Sequence, residues 1–378
     1  MSTAVSQNFE QLLIRRVDAI PLSLPLLKPM LMGGGQVFDR SECLLVRIES
    51  TTGLVGWGEA SAAPTMTGDT LPGMLEITKR YLRPALIGSN VLDFQGLSQR
   101  LQRVVVGNTG AKAACEIAIH DLAGHHLGVS VSKLLGGAVR DSVRVMHLLG
   151  NLLPEDDLTE ALEKQKEGYH FIKLKVGVKD VESEINIALK LREVLGNDFW
   201  LCADANTGMS LPQAISYVNG VSKIDLKFLE QPLHEDDIVG AVELAKIGKV
   251  PLCADEALHG IPQIRQWNDA GAIQGVNLKT IKLGGIQPTM QAAILSHELG
   301  LKIDLAAKLG ESSIGSAALI HLAYTVPNLD WGVNPVSQYL AEDIVRKPLV
   351  PILGSVPIPL GPGLGVEVDE DVVRKFTL

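Results

Sequence analysis

The chain of 378 residues has few aromatic side chains, few cysteines and no block of one charge. Only 4% of its residues are aromatic, and its four cysteines are Cys43, Cys115, Cys202 and Cys253. Their spacing matches neither a Cys-x-x-Cys pair nor a zinc site, so we expect buried, reduced thiols. The net charge of −9 at pH 7, without a basic run, argues against nucleic acid as a partner.

Long apolar runs are also missing. No uninterrupted apolar stretch reaches the roughly 18 residues of a membrane helix, and residues 1–16, MSTAVSQNFEQLLIRR, lack the apolar core of a secretory signal. We therefore expect a cytoplasmic protein that does not enter a membrane. A composition of 46% hydrophobic and 20% charged residues fits two globular domains, or one large barrel with an appended unit.

The first third of the chain is typical of a separate α+β unit. Residues 43–50 and 54–60 are rich in β-forming residues and flank the turn sequence TTG, which predicts a hairpin. Apolar residues then recur at helical spacing across 107–128. We expect this unit to cover residues 1–140 and to be joined by the tail, residues 355–378.

From about Val143 onward, short apolar runs alternate with amphipathic helices. An alternation of this kind demands parallel strands, and eight units over residues 141–354 predict a (β/α)8-type, TIM-like barrel. An open doubly wound sheet would require a GxGxxG motif after an early strand, which the chain lacks. The eight predicted strands are 143–149, 171–176, 200–204, 227–230, 251–255, 275–279, 302–307 and 328–332.

Charged side chains recur at the C-terminal ends of the predicted barrel strands. Lys175, Asp204, Glu230, Asp255 and Lys279 follow one another at intervals of one βα unit. The active site of a (β/α)8 barrel lies at this rim, so we expect the five groups to converge there. Any one of the acids taken singly could be a helix N-cap, but the common period argues against that interpretation for all of them.

The three carboxylates indicate a metal site. Their mutual repulsion would raise their pKa values unless a cation lay between them. An all-oxygen ligand set favours a hard ion, Mg²⁺ first and Mn²⁺ as a substitute, whereas zinc would require His or Cys. His147, on the first predicted barrel strand, stands outside the periodic set and is a weaker candidate for substrate contact.

Two lysines in the apolar run FIKLKV, Lys173 and Lys175, point to the same face of a strand. An edge strand with two solvated lysines would explain them poorly, because a buried unpaired charge is costly. Lys175 and Lys279 belong to the second and sixth predicted barrel strands, on opposite sides of an eight-strand ring. We expect both to transfer protons, with Lys173 lowering the pKa of Lys175 or holding substrate.

Two bases and one divalent ion suit the removal of a proton next to a carboxylate. The product of that step is an enediolate, whose charge a metal stabilises. Bases on both faces allow racemisation or epimerisation. With a suitable β-substituent or ring oxygen, the same intermediate would lead to elimination or cycloisomerisation.

These motifs resemble those of the enolase superfamily, in particular its muconate lactonizing enzyme (mandelate racemase/muconate lactonizing enzyme) subgroup. The resemblance implies that Asp204, Glu230 and Asp255 bind Mg²⁺, that Lys175 and Lys279 form the acid/base pair, and that Lys173 assists. It covers nearly the whole chain. The matching stretches are KLK at 173–175, DAN at 204–206, EQP at 230–232, ADE at 254–256, NLK at 277–279 and GPGLG at 361–365.

The resemblance further implies that the first third is a capping domain whose loops choose the substrate. The loops would be residues 26–38, with Gly33–Gly35 as a hinge, and residues 61–70. The substrate contacts expected on these grounds come from both domains, and an ordinary surface-loop role is the alternative for the methionines. The expected contacts are Met30, Met32, Met66, Asn206, Lys308 and Glu311.

The residues leave several functions open. Glu311 could meet an amine, which favours a racemase or epimerase of an amino-acid derivative, while Lys308 could meet either the reacting carboxylate or a second one. A muconate-type cycloisomerase and a β-elimination dehydratase, for example of a hydroxyproline, are the alternatives within the superfamily. Outside it stand a Schiff-base aldolase using Lys279 and a barrel that only binds a carboxylate. We expect a small-molecule carboxylate substrate and, by analogy with the superfamily alone, a homo-oligomer.

Overall fold

The computed structural model describes residues 12–31, 37–151 and 153–378 of the chain. It contains a three-stranded antiparallel sheet followed by an eight-stranded parallel sheet, so the predicted combination of an α+β unit and a (β/α)8-type barrel is confirmed. Within these residues, no helix is both long enough and apolar enough to pass through a membrane.

The N-terminal sheet is a meander of three strands in the order β1 (Ile14–Leu31), β2 (Val37–Ser50) and β3 (Val55–Ser61). The predicted hairpin is the β2–β3 pair, in which Cys43 lies opposite Ser61. The pairing of β1 with β2 is irregular between Pro25 and Met30, as expected where proline supplies no N–H to the ladder.

A bundle of helices covers one face of this sheet. Gly56 and Gly58 on β3 let helix α4 (Thr109–Leu127) approach closely, because a Cβ at Gly58 would collide with the carbonyl oxygen of Ala114 on that helix. The sheet and the bundle together form the cap. The helical segments are α1 (Leu71–Ile77), a π-helical turn (Thr78–Leu82), α2 (Arg83–Leu86), α3 (Phe94–Val104), α4 (Thr109–Leu127) and α5 (Val131–Leu134).

The eight parallel strands form a nearly closed barrel in chain order. Its ends are joined by a parallel bridge between Val145 and Val333 and by a 2.9 Å hydrogen bond from Met146 N to Val333 O. The strands are β4 (His147–Leu149), β5 (Phe171–Lys175), β6 (Trp200–Asp204), β7 (Leu226–Glu230), β8 (Leu252–Ala254), β9 (Gly275–Leu278), β10 (Lys302–Ala306) and β11 (Val333–Asn334).

Helices lie between successive strands, as the alternation of the sequence predicts. Most of them bury one apolar face against the strands. They are α6 (Pro154–Lys166), α7 (Val181–Leu195), α8 (Leu211–Gly220), α9 (Ile238–Ile247), α10 (Ile261–Asp269), α11 (Thr280–Leu283), α12 (Ile286–Glu298) and α13 (Ser313–Thr325), with a 3₁₀ turn (Ser337–Tyr339) and α14 (Glu370–Phe376) following the last strand.

The prediction of the last strand at residues 328–332 is wrong, because the strand begins at Val333. Gly332 has φ +86°, a left-handed conformation that ends an extended run. Before it, the Asp330 carboxylate accepts hydrogen bonds from Ile303 N at 3.2 Å and Asn328 Nδ2 at 2.5 Å. The segment is therefore a polar turn that leads into the strand.

The bottom of the barrel is filled by large apolar side chains, which makes it a packed core. Phe228 stacks on Trp331 with ring centroids 4.3 Å apart, and Phe171 meets Phe228 edge to face. The cavity of the barrel is consequently confined to the opposite rim, where the strands end. The filling residues are Met146, Phe171, Cys202, Phe228, Cys253 and Trp331.

Buried carboxylates attach the cap and the tail to the rest of the chain. Glu116 on α4 accepts hydrogen bonds from the first backbone N–H groups of α12, Ile286 N at 2.6 Å and Gln287 N at 2.9 Å, which satisfies the N-terminus of that helix. Asp121, also on α4, accepts from Leu364 N in the tail at 2.7 Å. Leu378 N at the end of the tail donates to Pro21 O of β1 at 3.1 Å.

Candidate active site

The polar residues predicted from the period of the strands lie at one rim of the barrel. Lys175 is in register with Asp204, and Asp204 with Glu230, because β5, β6 and β7 are paired neighbours. Asp255 and Lys279 directly follow β8 and β9. All five line one cavity of about 230 Å³ between the barrel and the cap.

Lys175 and Asp204 form an ion pair on one side of this cavity. Lys175 Nζ lies 2.6 Å from Asp204 Oδ2 and donates to Asn206 Oδ1, also at 2.6 Å. Asn206 has φ +41°, which turns the chain immediately after the strand. Its Nδ2 donates to Glu256 Oε1 at 2.9 Å, so a continuous polar network reaches from β5 to the loop after β8.

Lys173 lies one layer deeper and is 2% exposed. Its ammonium group pairs with Glu230 and lies 3.2 Å from Asp304 Oδ2 on β10. Burial alone would lower the pKa of Lys173, but these two carboxylates outweigh it and hold the pKa well above its usual value. The positive charge of Lys173, which would be costly if buried alone, is therefore compensated by two carboxylates.

Asp255 is held by two lysines on the opposite side of the cavity. Lys279 pairs with Asp255 Oδ2, and Lys282 Nζ lies 2.5 Å from Oδ1 and donates to Asp255 O at 2.6 Å. Burial would raise the pKa of Asp255, yet Lys279 and Lys282 keep it far below the ordinary value. Asp255 is thus a carboxylate in the folded protein.

Glu230 has a different balance of charges. Burial raises the pKa of Glu230 to about 8, and the negative charges of Asp204 and Asp255 add to this effect against the opposing influence of Lys173. Asn277 Nδ2 donates to Glu230 Oε1 at 2.6 Å. A cation at the rim would relieve this repulsion among the three acids.

The chemistry of the three carboxylates suits a hard divalent ion, because all their donor atoms are oxygen. Ammonium groups occupy their neighbourhood instead, and within residues 12–31, 37–151 and 153–378 no three His, Cys, Asp or Glu side chains approach closely enough to hold an ion. Binding a cation would require Lys175 and Lys279 to release oxygens of Asp204 and Asp255. By the chemistry of its oxygens the donor set fits Mg²⁺, and in the arrangement described here the lysines supply the compensating charge.

The residues expected to contact substrate divide into two groups. Asn206, Lys308 and Met66 line the central cavity. Met30 is 2% exposed and borders a separate cleft beside α6 instead of the central cavity. Glu311 is 1% exposed and does not border the cavity, since its oxygens accept from backbone N–H groups of Ser61 and Lys308.

Two further expectations concern the cap loop and the first barrel strand. Met32 and Gly33–Gly35 lie outside the described residues. His147 faces outward from the barrel, because its neighbour Leu148 is the residue that lines the cavity. His147 Nε2 lies 3.0 Å from Glu160 Oε1 on α6.

The cavity contains residues that sequence reasoning missed. Asn277 lies two positions before Lys279 and hence on the same face of β9, a spacing that could have identified it. Asp304, the buried partner of Lys173, was also missed; it lies level with Asn277 on the next strand but does not border the cavity. Phe38 of the cap also lines the cavity, as does Asn334 of β11, the strand that the sequence predicted at residues 328–332.

Comparison with known proteins identifies the family. Residues 157–372 match the family described as Enolase C-terminal domain-like. Residues 20–136 match the Mandelate racemase / muconate lactonizing enzyme, N-terminal domain.

The chain is also similar to individual members along nearly its whole length. It is 31% identical to muconate cycloisomerase 1 of Rhodococcus opacus, covering 96% of this chain and 97% of that one. It is 28% identical to the N-succinyl-L-Arg/Lys racemase of Bacillus cereus, covering 97% and 98%.

Among solved structures, the muconate lactonizing enzyme from Pseudomonas fluorescens, complexed with muconolactone, superposes with a TM-score of 0.94 at 26% identity. The match covers 97% of this chain and all of that one. The paired motifs at the barrel rim, the capping sheet and both family matches agree. The chain belongs to the enolase superfamily, in its mandelate racemase/muconate lactonizing enzyme subgroup, and is an isomerase-type enzyme of that group.

Proposed function

We propose that this enzyme transfers a proton at the carbon next to a substrate carboxylate, with Mg²⁺ as cofactor, and acts as a racemase or epimerase of an amino-acid derivative. The observation that carries the proposal is the placement of two lysines. Lys175 ends β5 and Lys279 follows β9, four positions apart in a ring of eight, and both line the same cavity. A substrate between them can lose its α-proton to one lysine, and the planar intermediate that results can take up a proton from the other.

The surrounding residues position these two lysines. Asn206 and Asp204 hold Nζ of Lys175, and Asp255 holds Nζ of Lys279. A divalent cation bound by Asp204, Glu230 and Asp255 would supply positive charge opposite the substrate carboxylate as its α-proton leaves. Such an ion would also replace lysine as the counter-charge of these acids.

The experiment that tests the proposal is incubation in D2O with Mg²⁺ and a library of carboxylates. The library contains N-acyl amino acids, dipeptides, muconates, prolines and their betaines, and mass gain at the α-carbon reports exchange. We expect exchange with at least one class and its loss on addition of EDTA, with recovery when Mg²⁺ is returned.

Two variants assign the lysines. We expect Lys175→Ala and Lys279→Ala each to lower exchange by more than about 10²-fold for one enantiomer, since each lysine serves one face. The exposed Lys302→Ala on β10 is the control and should keep full exchange. Exchange that persists in the Lys175→Ala/Lys279→Ala double variant would contradict the roles given to the lysines. Absence of exchange by wild type with every compound would favour a barrel that only binds a carboxylate.

A muconate-type cycloisomerase is the second candidate. The similarity to a muconate cycloisomerase supports it. The position of Glu311 supports it as well, because this carboxyl group does not border the cavity and so cannot pair with an amine of the substrate. A β-elimination dehydratase would share the same first step. Product analysis separates the three reactions: inverted configuration, a new ring, or loss of water.

A Schiff-base aldolase is disfavoured by the surroundings of Lys279. Asp204, Glu230 and Asp255 line the same cavity as Lys279, and Schiff-base chemistry needs no such set of three acids. Borohydride trapping of substrate on Lys279 would reverse this judgement.

A further inference from the structure

Lys308 differs from the other lysines of the cavity in lacking an acidic partner. Lys173, Lys175 and Lys279 each form ion pairs with carboxylates. In the portion of the chain that the structure describes, Lys308 Nζ has no hydrogen-bond or ion-pair partner. Its nearest aromatic neighbour is Phe38 of β2, whose ring centroid is 5.3 Å from Nζ.

The protein does little to compensate this charge. Lys308 is half-buried, and burial lowers its pKa, as do the positive charges of Lys279 and Lys175. The nearby Glu311 carboxylate opposes this effect, but its oxygens face backbone N–H groups. An ammonium group in such surroundings gains from an anion that a ligand brings.

Lys308 also lies apart from the groups that would hold the reacting carboxylate. It comes two residues after the end of β10, so it lies closer to the cap than Asp304 or Asn277 does. Phe38, Thr65 and Met66 of the cap line the cavity together with it. A substrate whose reacting end lies at the ring of acids and lysines would therefore extend its other end toward Lys308.

We propose that Lys308 binds a second carboxylate of the substrate, at the end remote from the reacting carbon, so that the preferred substrates are dicarboxylates. This inference rests on the proposed proton transfer for the identity of the reacting end. Charge supports it as well: the remaining lysines of the cavity are already paired, which leaves Lys308 to a ligand. The Phe38 and Met66 side chains then contact the apolar chain between the two carboxylates.

The test compares two substrates that differ only at the remote end. N-succinyl amino acids carry the second carboxylate, and N-butanoyl amino acids end in a methyl group. Wild type, Lys308→Met and Lys308→Arg are assayed with Mg²⁺ in D2O for kcat and KM of α-proton exchange. Lys302→Met, at the exposed start of β10, is the matched control, and circular dichroism verifies folding.

We expect wild type and Lys302→Met to prefer the succinyl over the butanoyl compounds by about 10- to 100-fold in kcat/KM, the range of a hydrogen bond to a charged group. Lys308→Met should lose this preference, mainly through a higher KM for the succinyl compounds. Lys308→Arg should keep most of it. Equal losses for both substrates, or no preference in wild type, would overturn the proposal.

Calorimetric binding separates this inference from the reaction. If no compound exchanges its α-proton, the Kd values of the same pairs are measured with Mg²⁺ present. A succinyl preference that disappears in Lys308→Met would support the second-carboxylate site while the proposed reaction fails. Absence of any preference that depends on Lys308 would reject the site.

Discussion

Two groups of buried carboxylates in this molecule are stabilised in different ways. At the barrel rim, Asp204, Glu230 and Asp255 are bound by lysine ammonium groups. Where the cap meets the barrel, Glu59 of β3 and Glu311 are bound mainly by backbone N–H groups and a serine hydroxyl. Opposite charges can exchange partners when a cation or substrate arrives, whereas fixed backbone donors cannot.

The contacts of the second group are short and local. Glu59 Oε2 accepts from Ser312 N at 2.9 Å, from Ser312 Oγ at 2.6 Å and from Gly315 N at 3.2 Å, and all of these donors belong to the first turn of α13 or its N-cap. Burial raises the pKa of Glu59 to about 7 and that of Glu311 to about 8. The carboxyl groups at this contact between cap and barrel thus tend to keep their protons at neutral pH, whereas Asp255 at the rim keeps its charge.

Removing one ammonium group from the cavity should have the largest effect. Lys173→Met leaves Glu230 and Asp304 buried without their counter-charge, which we expect to lower the free energy of unfolding by about 3–5 kcal/mol. Urea denaturation in the presence of EDTA measures this loss, because EDTA removes divalent cations that could take the place of the lysine as counter-charge.

An exposed ion pair of the same barrel provides the control. Lys227 Nζ lies 2.6 Å from Asp225 Oδ2 at the start of β7, and Lys227→Met should cost at most about 0.5 kcal/mol. The double variant Lys173→Met/Asp304→Asn should recover part of the loss, since one unpaired charge disappears. Equal losses of unfolding free energy in Lys173→Met and Lys227→Met would mean that the buried ion pairs of the cavity stabilise the fold no more than this exposed pair does.

The same contrast explains what could be predicted from the sequence. Lys175, Asp204, Glu230, Asp255 and Lys279 were identifiable, because parallel strands of a barrel bring residues one βα unit apart to a common rim. The cap contributions were not, because Phe38 and Met30 belong to one irregular hairpin and only the folded structure shows which of them faces the barrel.

Residues whose role depends on a neighbour were the hardest to predict. Glu311 was expected at the substrate, but its carboxyl group is satisfied by Ser61 N and Lys308 N, donors that no pattern in the sequence reveals. Asp304 was overlooked because its partner Lys173 lies 131 residues away in sequence. Spacing therefore indicates position along the barrel axis, and partners across it require coordinates.

A hydroxyl at the domain contact should contribute less than an ammonium group in the cavity. Ser312 is fully buried, its Oγ donates to Glu59 and also accepts from Ile314 N at 3.1 Å as the N-cap of α13. We expect Ser312→Ala to cost about 1–2 kcal/mol, measured by urea denaturation at pH 7. Ser210→Ala at the exposed N-cap of α8 should cost about half as much, and a smaller loss at Ser312 would contradict the assigned role.

The smallest effect concerns pH and Glu311. Its pKa rises from 4.5 to about 8 on folding, so between these values the folded state keeps a proton that the unfolded state has released. This contribution to stability is complete below pH 4.5 and is lost as the pH rises toward 8, at about 1 kcal/mol per pH unit. We expect Glu311→Gln to flatten the fall of stability between pH 6 and 7.

The groups around Glu311 determine how steeply the free energy of unfolding falls with pH. Burial is the first cause of its raised pKa and the negative charge of Glu59 the second, while Lys308 acts in the opposite direction. Glu298→Gln, at an exposed position of α12, is the control and should leave the wild-type slope unchanged. Because the pKa of Glu59 is raised to about 7, the slope that remains in Glu311→Gln should become smaller still in the double variant with Glu59→Gln. A wild-type stability that rises between pH 6 and 7, unaltered by both changes, would mean that Glu59 and Glu311 keep their charge, as Asp255 does at the rim.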